Sequence, residues 1–103
     1  MYNVRMFSAS ATATAEVAGP YRPGDRHAML LFHRQLVGSE PDWKLAEAGA
    51  ANAGWIGVTL ERAGTLDAEN LNGKDADFRD AFENAMLGNC SLVIYRESLA
   101  DDA

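Results

Sequence analysis

The chain predicts an α+β domain, and three observations carry that expectation. Apolar residues alternate with period two in three stretches, which is the mark of half-buried strands. Two other stretches repeat apolar residues at spacings of three and four, the mark of amphipathic helices. Glycines separate each helical stretch from the strand that follows, so the helix-to-strand connections are short.

In chain order, residues 1–10 (MYNVRMFSAS) set Tyr2, Val4 and Met6 against Asn3, Arg5 and Phe7, a strand suited to a sheet edge. Residues 8–15 (SASATATA) are small and repetitive, an extension of that strand or a connector. Residues 19–26 (GPYRPGDR) are the strongest turn signal, with Pro20, Pro23-Gly24 and Asp25. Tyr21, Arg22, Arg26 and His27 form a small basic, aromatic loop there, able to take an anionic ligand or to serve only as a hairpin connection.

Residues 27–36 (HAMLLFHRQL) read as a central strand. Ala28, Leu30, Phe32 and Leu36 fall on one face, His27, Met29, Leu31, His33 and Gln35 on the other. Six residues of strand hold the two histidines about 20 Å apart, too far to chelate one metal. His33 is the one candidate for a general base, set against the commoner role of a packed histidine.

The best-punctuated stretch is 38–62 (GSEPDWKLAEAGAANAGWIGVTLER). Ser39 is the expected N-cap, with Asp42 three residues on and Pro41 tolerated in the first turn. Trp43, Ala46, Ala50 and Ala53 share a helix face, and Gly54 supplies the stop. Ile56, Val58 and Leu60 then alternate as a strand. A phosphate-cradling loop at Gly54–Gly57 is disfavoured, because such loops put glycine at a helix entry and these glycines follow a helix.

Residues 63–73 are a polar connector that adds a short strand at Thr65-Leu66 or a helical turn at 67–71. Asp75 caps a second helix with Phe78, Ala81, Phe82, Ala85 and Met86 inward and Asp77, Asp80 and Glu83 outward. Gly88 ends it, residues 91–96 (SLVIYR) form a buried strand, and 97–103 read as a flexible tail. A shift of 35 residues aligns Asp42, Trp43 and Ala46 with Asp77, Phe78 and Ala81, and Val58 with Val93, too few copies for a solenoid.

These elements predict one domain over residues 1–103: a two-layer sandwich with a four- or five-stranded mixed sheet and both helices on one face. The layout resembles that of ferredoxin-like domains, a likeness of architecture that carries no function. With both helices on one side, the other face exposes Met29, Leu31, His33, Trp55 and Tyr95. That patch is too apolar for water, so a homodimer through the sheet face is expected.

Composition narrows the function classes. The net charge of −6 resides in residues 63–103, where nine acidic side chains face Lys74, Arg79 and Arg96, while residues 1–62 balance six against six. An acidic half argues against a nucleic-acid footprint. Cys90 is the sole cysteine, which excludes an internal disulfide and suits a reducing cytoplasm. No apolar run is long enough for a membrane helix or a signal peptide. Metal-ligand spacings, nucleophile elbows and nucleotide loops are missing, so no cofactor is implied and a self-contained enzyme is disfavoured. Asn89-Cys90-Ser91 matches the glycosylation acceptor pattern, which has no consequence in a cytosolic chain.

The leading expectation is therefore a small binding module, of inhibitor or immunity type, whose acidic face at Asp77, Asp80 and Glu83 meets a basic protein partner. The alternative is a dimer that binds or converts a small molecule in a sheet-face pocket lined by His33, Trp55 and Tyr95.

Overall fold

The computed structural model describes residues 1–99. Four strands, β1 (Tyr2–Ala13), β2 (Arg26–Leu36), β3 (Trp55–Leu66) and β4 (Ser91–Ser98), form one antiparallel sheet in the order β3-β1-β2-β4. Helix α1 (Trp43–Asn52) joins β2 to β3, and α2 (Ala76–Met86) joins a 3₁₀ turn (Ala68–Leu71) to β4. The class is α+β as expected. The sheet is antiparallel throughout rather than mixed, and it has four strands.

The small-residue stretch after Ser8 continues β1 to Ala13, and β1 lies inside the sheet between β2 and β3. A strand flanked on both sides has little room for bulk on a face that a helix must approach, and Ala9, Ala11 and Ala13 answer that need. Thr65-Leu66 is the end of β3 and no fifth strand, because β3 runs the full length of β1. At the other end β4 extends through Ser98, so Glu97 and Ser98 belong to a strand where a tail was expected; residues 100–103 lie outside the described residues.

The expectation that both helices share one face is corrected. Ala46 and Ala50 of α1 pack with Phe7, Ala9, Met29, Leu31 and Trp55. Phe78, Ala81, Phe82 and Ala85 of α2 pack with Val4, Phe32 and Leu66. The register pairs Phe7 with Leu31 and Met6 with Phe32, so the two sets point to opposite sides of the sheet. Three consecutive buried residues, Leu31, Phe32 and His33, require cover on both faces. With α1 over Met29, Leu31, His33 and Trp55, the uncovered face on which a sheet-face dimer was argued is not there. The strand order and the opening β1–β2 hairpin also depart from the paired strand-helix-strand halves of a ferredoxin-like layout.

Caps are local. Asp42, not Ser39, caps α1 by accepting from the Leu45 N–H at 3.0 Å. Ser39 sits three residues too early and instead closes the turn after β2 through the Leu36 carbonyl. Asp75 caps α2 through the Phe78 N–H at 2.9 Å, as its sequence position requires.

Candidate functional site

The acidic residues Asp77, Asp80 and Glu83 are exposed on the outward side of α2. The helix lies alongside β4, which has a strand neighbour on one side only. A groove of about 290 Å³ follows that free edge, lined by Asp77, Asp80 and Asn84 on one bank, Tyr21 on the other, Leu92 and Ile94 between, and the basic Arg96 beyond Ile94. From Ser91 to Ile94 the strand pairs residue for residue with β2. The opposite edge, β3, carries two register shifts against β1, one of them around Gly57 with φ +60°. A bulged edge twists away from an incoming strand; β4 is shifted too, between Ile94 and Ser98, so it offers a regular edge over Ser91–Ile94 alone.

The loop residues part company. Arg22 is exposed. The Arg26 side chain turns back over the sheet and donates to Ser10 Oγ at 3.0 Å, Thr12 Oγ1 at 3.2 Å, Thr59 Oγ1 at 2.9 Å and the Gly57 carbonyl at 2.9 Å. Its donors are spent on the fold. Tyr21 and His27 join Trp55 in an aromatic group with centroids 5.1–5.8 Å apart. His27 Nδ1 lies 2.9 Å from the Tyr95 carbonyl, which only accepts, so Nδ1 carries the hydrogen.

The residues expected to line one sheet-face pocket are not brought together. Trp55 packs under α1 and His33 lies beyond the start of that helix, at opposite ends of the same sheet face, while the half-exposed Tyr95 side chain lies on the α2 face beside Leu30 and Val93. His33 stacks on Phe7, with centroids 5.2 Å apart and planes at 19°, and Phe7 meets Trp43 edge-on at 5.1 Å.

Around His33 the structure gathers residues that sequence reasoning did not single out. The register sets Asn3 opposite Gln35 and Arg5 opposite His33, all four on the α1 face beyond the start of α1. The segment 37–42 roofs them. Arg5 donates through Nη1 to Thr65 Oγ1 at 2.8 Å and through Nη2 to the Ser39 carbonyl. Gln35 Nε2 donates to Ser39 Oγ at 2.8 Å and to the Glu40 carbonyl. The available signal was Asn3, Arg5, His33 and Gln35 at alternate positions of two adjacent strands, legible only once their register is known.

Cys90 is exposed as a residue, yet its sulfur rests against the α1 backbone at Gly49, and this burial pushes the thiol above its ordinary value. Among the described residues no helix is long and apolar enough to cross a membrane. Comparison with protein-family models, curated proteins and solved structures finds no match.

Proposed function

We propose that the protein is a non-enzymatic binding module that receives an extended, basic segment of a partner protein along β4. The observation that carries this reading is the β4 edge over Ser91–Ile94, regular and without a second strand neighbour among the described residues, beside the exposed acids of α2. An extended segment that adds to a sheet edge gains main-chain hydrogen bonds for affinity, while side-chain pockets set specificity. Asp77 and Asp80 on the groove bank favour lysine or arginine at alternate positions of the incoming strand, and Leu92 and Ile94 offer apolar contact to the residues between. Charge at the rim acts mainly on the rate of encounter. An inhibitor or immunity-type role follows if the bound segment belongs to a basic enzyme or toxin.

The test uses a synthetic peptide of alternating lysine and valine, titrated into isotopically labelled protein. Amide shifts should cluster in β4 and the outward face of α2. Neutralising Asp77, Asp80 and Glu83 to their amides should slow association and flatten its dependence on salt. A peptide with glutamate in place of lysine that binds equally well, or shifts confined to another surface, would contradict the reading.

A further inference from the structure

The four side chains beneath segment 37–42 present an unusual balance of hydrogen-bonding groups. Asn3 Oδ1, Arg5 Nε, His33 Nε2 and Gln35 Oε1 are all buried with no partner. Buried polar atoms are nearly always satisfied, and each exception requires an explanation. Among the described residues the other two exceptions, on His27 and Ser91, stand apart from each other and from this group. Four of them converging on one 2 × 2 block of adjacent strands mark a place where polar groups are kept for a purpose other than stability.

Their chemistry narrows the ligand. His33 Nδ1 faces the Arg34 carbonyl at 3.4 Å, which leaves Nε2 as an acceptor. In the neutral imidazole the block then offers three acceptors and the Arg5 Nε donor, and lifting Ser39 and Glu40 frees Arg5 Nη2 and Gln35 Nε2 as further donors. A carboxylate accepts from Arg5 but cannot donate, so it would leave the three acceptors unmet. An ammonium group would sit beside the Arg5 guanidinium. Hydroxyl groups both donate and accept, so a cluster of neutral hydroxyls meets all four atoms.

The surroundings agree. A cleft of about 690 Å³ opens at this end, lined by His33, Gln35, Ser39, Glu40, Asp42 and Trp43; Asn3 and Arg5 are not in its lining and would meet a ligand only once the Ser39-Glu40 segment lifts. Trp43 is 42% exposed, and its ring offers an apolar platform at the mouth. The Ser39 carbonyl, Ser39 Oγ and Glu40 carbonyl now occupy the outward donors of Arg5 and Gln35, in the places ligand oxygens would take.

We propose that the Asn3-Arg5-His33-Gln35 block binds a neutral polyhydroxylated molecule, a sugar or cyclitol, which lifts the Ser39-Glu40 segment and stacks against Trp43. The site is separate from the β4 edge and stands or falls independently of it.

D-glucose, D-galactose and myo-inositol serve as probes, with gluconate and glucosamine as charged counterparts. Tryptophan emission reads Trp43 at the mouth; Trp55, 1% exposed, stays silent, and a Trp43→Phe variant should abolish the signal. At least one neutral probe should give a saturable change at millimolar concentration, with amide shifts at Asn3, Arg5, His33, Gln35 and Ser39. Asn3→Leu should weaken that binding at least tenfold without lowering the melting temperature, because it removes an unpartnered buried oxygen. Saturation by none of the neutral probes overturns the proposal. So does equal binding of gluconate or glucosamine, or unchanged affinity in Asn3→Leu.

Discussion

Arg26 shows how a single side chain can be assigned to the wrong task when only its neighbours in the chain are considered. It stands in a turn rich in glycine, proline and charge, yet its guanidinium spans β1 and β3 and holds the Gly57 carbonyl. That carbonyl belongs to a residue at φ +60°, where a side chain is strained, and an added Cβ would meet Arg26 Nη1 at 3.3 Å. Arg26→Leu leaves the bulge without its clamp and should cost about 1 kcal/mol, the usual net worth of exposed and part-buried hydrogen bonds. For a domain of this size each kcal/mol lowers the melting temperature by roughly 4–8 °C, so calorimetry resolves the effect. Arg22, exposed in the same loop, should tolerate replacement by leucine within about 0.5 kcal/mol. Cys90 gives a second test at this scale. Its thiol is raised by burial, so the thiolate fraction in the folded protein is depressed, and alkylation should be slower than in the denatured chain at the same mildly alkaline pH. The sign for stability follows: the folded state holds the proton longer, so this contribution is intact below the ordinary thiol pKa and is lost as pH rises through the raised one.

At the level of elements, periodicity located both helices and three strands, the apolar run at 91–96 gave the fourth, and Asp75 marked the start of α2, whereas α1 starts at Asp42 and not at the expected Ser39. What the pattern could not say is which face each helix covers. A helix that is apolar on one side fits either side of a sheet, and both faces of β2 are apolar. The clue lay in residues 28–32 (AMLLF), where alternation lapses into a continuous apolar run, the pattern of a strand covered on both faces. Placing both helices on one side of the sheet left the other face bare, and the structure covers that face with α1. The register of β1 against β2 was equally hidden, since nothing local in either strand specifies it, and with it the block at Asn3, Arg5, His33 and Gln35. The approach of α1 to the start of β4 gives a test at this scale. An added methyl at Gly49 would overlap the Cys90 sulfur, so Gly49→Ala should destabilise by about 1–3 kcal/mol despite alanine's better helix propensity. The double change with Cys90→Ser removes the larger sulfur and should recover part of that loss, which chemical denaturation of the four proteins would measure.

Considered whole, the molecule sets the exposed Asp77, Asp80 and Glu83 of α2 beside the β4 edge. The acidic half of the chain supplies α2 and β4, and these two elements bound the edge that is regular over Ser91–Ile94. Each sheet face has its own helix, so the proposed partner is received at an edge. The account rests on that arrangement: two interior strands, a bulged β3 edge and an open β4 edge. Amide hydrogen exchange of the free protein tests it most directly. Amides paired between β1 and β2 should be the slowest in the molecule, while alternate amides of residues 91–94, those facing away from β2, exchange quickly. Uniformly slow exchange across residues 91–94 would mean that this edge is already paired, and would contradict both the strand order and the open edge.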